Sequence, residues 1–267
     1  MQLFRTKHSS DRSQMCSVDA LSDFIYSVSR SNARFSTPLI MAGYSLVQRT
    51  KHGLGLDQLH QSWSEIDTYT DTMLITNRPG RRASIDQGLG LVRIASSFVD
   101  DHKDNLDSIC TTADLWALIS QSVDKNGIDT VEARHISVNG IPQPKGHVAP
   151  IYGILSATLG ITPLDCCRVF AFGATRDAVS AAVRLNLIGP MAGLSLLDKV
   201  GRKAAEDGVE DGLIGMLDSS SKELSPDENY CPARIARWLQ SSVHTCAPVL
   251  DTVQPLSDLL SVRLFRT

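Results

Sequence analysis

Residue His147 lies in the octapeptide Gly146-His147-Val148-Ala149-Pro150-Ile151-Tyr152-Gly153, between a segment punctuated by glycine and proline and a long apolar run. An imidazole there has three uses open to it: a nitrogen ligand for nickel or zinc, a general base, or the residue that starts a helix. Spacing alone favours the helix start. The vicinal pair Cys166-Cys167 offers soft thiolates suited to a transition metal. On a helix, adjacent side chains diverge by about 100 degrees, so one ion would need a third group from elsewhere. Packing in the core is the simpler use of two free thiols.

Other motifs carry less. The tetrapeptide GLGL occurs at Gly53–Leu56 and Gly88–Leu91, but Gln58 and Arg93 stand where a dinucleotide fingerprint needs its third glycine. Gly88 and Gly90 are expected to serve close helix packing instead. Ser219-Ser220-Ser221-Lys222 matches S-x-x-K without a partner motif. There is no G-x-S-x-G, no H-E-x-x-H, no Walker lysine and no carboxylate pair at a spacing that suggests acid and base work. A hydrolase using His147 as base would therefore need the fold to bring it a nucleophile or a metal.

The elements that must position these residues read as helices. Val18, Leu21, Phe24, Ile25 and Val28 keep three-and-four spacing behind Ser17 as N-cap. Leu56, Leu59, Trp63, Ile66 and Met73 repeat it, as do Ala83, Ile85, Leu89, Val92, Ile94, Ala95 and Phe98. Leu115 to Ile119 is a shorter helix. Residues 125–146 form a long loop with a brief alternation at His135 to Val138. Ile151 to Leu159 is a helix closed by Gly160, and Thr162-Pro163-Leu164-Asp165 restarts the chain, with Thr162 at the N-cap and Pro163 at N1. The run Pro163 to Leu187, with Arg176 and Arg184 on it, is expected to be the most buried part of the fold. Met191 to Ala205 is a further helix, residues 206–229 a polar connection, and a last helix starts near Pro232. The fold class that follows is all-α: a single-domain bundle of about ten helices over residues 17–267, preceded by a disordered or partly ordered segment 1–16.

Composition agrees. In 267 residues, 42% are apolar, enough for one large core, and the net charge of -3 comes without a basic cluster that would mark a nucleic-acid partner. No window approaches the roughly 20 apolar residues of a membrane span, and the first ten residues have no signal-peptide core. A cytoplasmic location is expected, with most of the six cysteines reduced.

The block Phe172 to Pro190, FGATRDAVSAAVRLNLIGP, resembles the urease accessory protein F (UreF) family, and particularly its plant and fungal members, whose core reads S-A-A-x-R-L followed by a short apolar link and glycine. Arg82-Ala83-Ser84 with Gln87-Gly88 is similar to that family's R-x-A-S-x-x-Q-G helix. The histidine-alanine-proline segment at His147 and the closing Ser261-Val262-Arg263-Leu264-Phe265 match its later blocks in order. The family's usual opening, a G-G-F or G-S-F turn and an H-S-x-G-L-E motif, is missing, and Val262 replaces a serine.

The resemblance implies assembly rather than catalysis. It implies an all-helical homodimer that binds the UreD/UreH-type accessory subunit, recruits the nickel-carrying UreG-type GTPase and helps deliver nickel to apo-urease, with no cofactor bound permanently and only transient nickel. Under it Arg263, Leu264, Phe265, Arg184 and Tyr152 become expected partner contacts, and His147 a possible nickel contact. The rival class is a helical interaction module unrelated to urease.

Overall fold

The computed structural model describes residues 12–50, 56–101, 115–120, 137–138, 141–142 and 144–220. Within them the protein is helical: α1 (Arg12–Thr50), α2 (Leu56–Met73), α3 (Arg78–Asp101), α4 (described over 115–120), α5 (Val148–Thr158), α6 (Pro163–Arg184), α7 (Pro190–Leu196) and α8 (Arg202–Ser220). A π-helical turn, Leu197–Gly201, joins α7 to α8. The only extended pairing among the described residues is the two-residue antiparallel ladder of β1 (Ser137–Val138) with β2 (Ile141–Pro142), inside the expected long loop. The fold is all-α.

Helix α1 is the spine, and it is longer than its apolar pattern suggests. It spans 39 residues and passes through Pro38, so Ser17 lies inside it rather than capping it. The polar run after Val28 does not break the helix, because hydroxyls can bond to carbonyls one turn back. Ser36 Oγ donates to the carbonyl of Asn32 at 2.8 Å and Thr37 Oγ1 to that of Ala33 at 2.8 Å, which lets both side chains be buried.

Helix α5 crosses α1 at the centre of the molecule. A Cβ on Gly43 would fall 2.1 Å from the Pro150 carbonyl oxygen, and one on Gly153 would fall 2.1 Å from that of Ile40. These two glycines let the backbones touch, and no other residue fits either position. Around the crossing pack Leu39, Ile40 and Leu46 of α1, Leu59, Trp63 and Ile66 of α2, Leu115 and Ile119 of α4, and Ile151 and Ile154 of α5. The end of α5 is read correctly from Gly160, whose φ of 73° closes a Schellman turn with Ile161 N–H on the Ser156 carbonyl at 2.9 Å. The restart is also as read: Thr162 Oγ1 accepts from Asp165 N–H at 3.3 Å, with Pro163 in the first turn.

Two expectations fail. Helix α6 is not the most buried element. It buries one stripe, Cys166, Cys167, Ala171, Thr175, Val179 and Ala182, and leaves Val169 60% and Phe172 41% exposed. Its apolar side chains outnumber what one stripe can hide, and α5 occupies the centre instead. Residues 206–220 are not a polar connection but the body of α8. The buried face of α8 is Ala204, Ala205 and Val209, with Gly208 and Gly212 pressed on Ala33 and Thr37, so it carries little hydrophobic signal. The acidic residues that suggested a loop are spent on α1: Asp211 accepts from Arg30 at 2.6 Å and Asp207 from the Tyr26 hydroxyl.

Candidate functional site

The turn before α5 is held by a buried polar joint. Two carboxylates one turn apart on α2, Asp67 and Asp71, face the segment 144–147. Asp67 is fully buried and accepts the backbone N–H groups of Lys145, Gly146 at 3.2 Å and His147 at 2.7 Å. Asp71 takes a forked bond from Arg81 of α3, at 2.6 and 2.9 Å, and a third bond from Lys145 Nζ at 3.0 Å. His147 is the N-cap of α5, so the helix-start reading holds, although its side chain does not cap. Its ring is fully buried, with Nε2 3.2 Å from Asp71 Oδ1 and Nδ1 3.1 Å from Ser84 Oγ. Ser84 Oγ accepts from Val148 N–H at 3.3 Å and so has its own hydrogen left to donate to Nδ1. Gly88 admits this turn: a Cβ there would lie 2.0 Å from the Gly146 carbonyl oxygen. Gly90, by contrast, meets nothing within 4 Å, so close packing explains only one of the two glycines.

Burial pushes the Asp71 carboxyl up, but hydrogen bonds from His147, Arg81 and Lys145 overcome that and hold it well below the usual carboxylate range. Asp71 thus meets two fixed cations, while Asp67 answers backbone N–H groups.

Ser84, His147 and Asp71 form a serine–histidine–aspartate chain, the arrangement a hydrolase would need. An aspartate serving a catalytic histidine stabilises the imidazolium, whereas Asp71 already answers Arg81 and Lys145. Both ring nitrogens of His147, the expected nickel contact, are engaged by protein groups, and two cations share its aspartate. Among the described residues no group of three or more His, Cys, Asp or Glu could hold a metal. Cys166 and Cys167 are both buried and unbridged, as expected for core thiols, and burial pushes Cys167 up to about 12.

Beside the joint runs an apolar groove of about 860 Å³, floored by Val148, Ala149 and Tyr152 and walled by Phe35 and Leu39 of α1, Leu91 and Ile94 of α3, and Phe170 of α6. Tyr152 is half-buried, its ring 5.1 Å from that of Phe170 at 58°, and burial raises its hydroxyl. It belongs to the groove rather than to the His147 joint. Arg184 is exposed at the end of α6, and Arg176 pairs with Asp177 at 3.0 Å on the surface rather than in the core. Arg263, Leu264 and Phe265 lie outside the described residues, as do Ser221 and Lys222, the helix expected near Pro232 and the segment 1–11.

Sequence reasoning missed Asp67, Asp71, Arg81 and Lys145. The four-residue spacing of the two aspartates on a helix whose apolar residues Leu59, Trp63 and Ile66 mark it as buried was the available signal, since a buried carboxylate must be paired. No helix among the described residues is long and apolar enough to cross a membrane.

Comparison with known proteins agrees with the motif blocks. The family model for UreF matches residues 15–201. The urease accessory protein F of Oryza sativa subsp. indica is 29% identical over 143 residues, 54% of this chain and 44% of the relative. That of Arabidopsis thaliana is 31% identical over 131 residues, 49% of this chain and 43% of the relative. Urease accessory protein 6 of Cryptococcus neoformans var. grubii is 25% identical over 267 residues, 92% of this chain and 79% of the relative. The matched stretch thus spans less than half the length of the plant relatives. No solved structure matches the chain. A family model that covers most of the helical body, including the His147 turn and the whole of α6, makes this chain a member of the UreF family.

Proposed function

We propose that this chain is a non-catalytic accessory protein of urease maturation, a scaffold that bridges the UreD/UreH-type accessory subunit and the UreG-type GTPase while nickel is delivered to apo-urease. One observation supports a scaffold beyond the family itself: the protein spends its buried ionisable groups on holding itself together and shows large apolar side chains at its surface. Leu185, Leu187, Met191 and Leu194 follow one another along the end of α6 and α7, with Met191 77% and Leu194 62% exposed, and Arg184 stands beside them. An apolar run with an arginine at its edge is the composition of an interface.

In this reading the α6–α7 face joins two copies into the homodimer, and Arg263, Leu264 and Phe265 anchor the GTPase. Nickel passes as cargo, no cofactor is retained, and the work is done in the cytoplasm. The deciding experiment is complementation: the full chain, expressed in a cell lacking its own F-type accessory protein, restores urease activity, and it co-purifies with the UreD/UreH-type subunit and the GTPase. A chain that expresses and folds but neither restores activity nor retains either partner belongs to the unrelated-module class instead.

A further inference from the structure

A second feature of the surface is distinct from the α7 leucines. Where the first half of α6 meets the start of α8, a dimple of about 220 Å³ is floored by Val169, Phe172 and Ala205 and flanked by Arg168 and Arg202, with Glu206 at its edge. Phe172 rests one ring edge on the end of the π-helical turn, where a Cβ on Gly201 would fall 3.2 Å from Phe172 Cε2, and still leaves 41% of its surface to solvent. The π-helical turn Leu197–Gly201 delivers Gly201 and then Arg202 to this place. Neither Arg168 nor Arg202 forms an ion pair with any described residue, although Arg30, Arg81 and Arg176 all do. Two guanidinium groups that pair with no described carboxylate thus border an apolar floor large enough for one leucine or phenylalanine side chain.

We propose that this dimple docks an acidic–apolar segment of a partner protein: an apolar side chain enters against Phe172 and Val169, and a flanking carboxylate is received by the Arg168 and Arg202 forks. Charge complementarity selects that occupant, because an aliphatic or basic segment would leave both guanidinium groups unanswered. The apolar anchor supplies most of the affinity, since exposed ion pairs contribute little, and the arginines supply orientation and charge preference. Glu206 faces the same dimple, opposes a carboxylate and keeps the contact reversible. The proposal deepens the scaffold reading by naming a docking point and the chemistry it accepts, and its test is independent of urease activation.

The probe is a fluorescent peptide of alternating glutamate and leucine with one phenylalanine, titrated with the full chain and followed by anisotropy. A control peptide carries lysine in place of glutamate. The acidic peptide should bind and the lysine peptide should not. Arg168→Glu with Arg202→Glu should weaken the acidic peptide by about tenfold or more and let the lysine peptide bind, as expected for a pair of charge-assisted contacts. Glu206→Gln should strengthen the acidic peptide by about two- to threefold. All three side chains are on the surface, so unchanged circular dichroism confirms that the variants fold. Equal binding of both peptides, or indifference to the double reversal, overturns the proposal. Binding that appears only after neutralising Glu223, Asp227 and Glu228 in the full chain also overturns it, since it would make the chain's own acidic segment the occupant. Complementation that succeeds while the peptide fails to bind leaves the scaffold reading standing and removes only this site.

Discussion

The turn at His147 and the surface of α6 to α8 use polar and apolar residues in opposite ways. Around His147, Asp67, Asp71, Arg81 and Lys145 are drawn under the backbone, and each carboxylate answers donors from the turn or from α3. On the other surface, leucines and phenylalanine lie in solvent and two arginines form no ion pair with a described residue. The His147 turn and the α6–α7 part of the other surface both fall within residues 15–201, which the family model matches. The contrast teaches that a family block is not of itself a working surface: one maintains the fold and the other is free to meet something.

Substitutions should separate the two. The largest effect is expected at Asp67→Ala, which strands three backbone N–H groups and should cost on the order of 3 kcal/mol, seen as a lower midpoint in urea denaturation. His147→Ala should cost about 1–3 kcal/mol, because it empties a fully buried site and unties Ser84 from Asp71. The same variant should leave nickel uptake by the purified chain unchanged in equilibrium dialysis; loss of a bound nickel would reinstate the imidazole as a ligand.

Acid should act on the same joint. The Asp71 pKa is depressed in the fold, so its contribution is present above the unfolded carboxyl value near 4 and is lost as pH falls toward the folded value. Stability measured by thermal melts should therefore decline below about pH 4. Asp71→Asn, less stable at neutral pH, should show a flatter acid limb. A variant with an unchanged limb would take Asp71 out of the account.

The opposite surface should respond in association rather than stability. Leu194→Ser with Met191→Ser should change unfolding free energy by less than about 0.5 kcal/mol, as exposed positions do, while shifting light-scattering mass from dimer toward monomer. Unfolding by several kcal/mol would erase the distinction between the regions. Smallest of all is the expected chemical reactivity at Ser84: a serine-directed fluorophosphonate should leave it unlabelled, because Asp71 is committed to Arg81 and Lys145.

Much of the architecture is legible in the residues. Gly160 and Thr162-Pro163 punctuate the chain where the helices end and begin, because a left-handed residue and a pre-set φ act within one turn. The α2 and α3 patterns give their helices for the same local reason. Helix α8 escapes notice because its buried face is alanine and glycine, residues whose packing value depends on how closely another backbone comes. The exposure of α6 escapes too: apolar content tells how much a helix could bury, not which neighbour will cover it.

Residue order is enough to show that the chain is helical, where α5 ends and α6 starts, that His147 opens a helix, and which family the blocks resemble. These depend on contacts within a turn or on the order of the residues. The surroundings of His147 depend on packing. Its partners Ser84 and Asp71 are 63 and 76 positions away along the chain, and only the packing of α2 and α3 beside α5 brings a hydroxyl and a shared carboxylate to its two nitrogens. The same packing leaves Arg168 and Arg202 without an ion pair among the described residues, because which charges pair is a matter of distance in the fold and not of spacing in the chain.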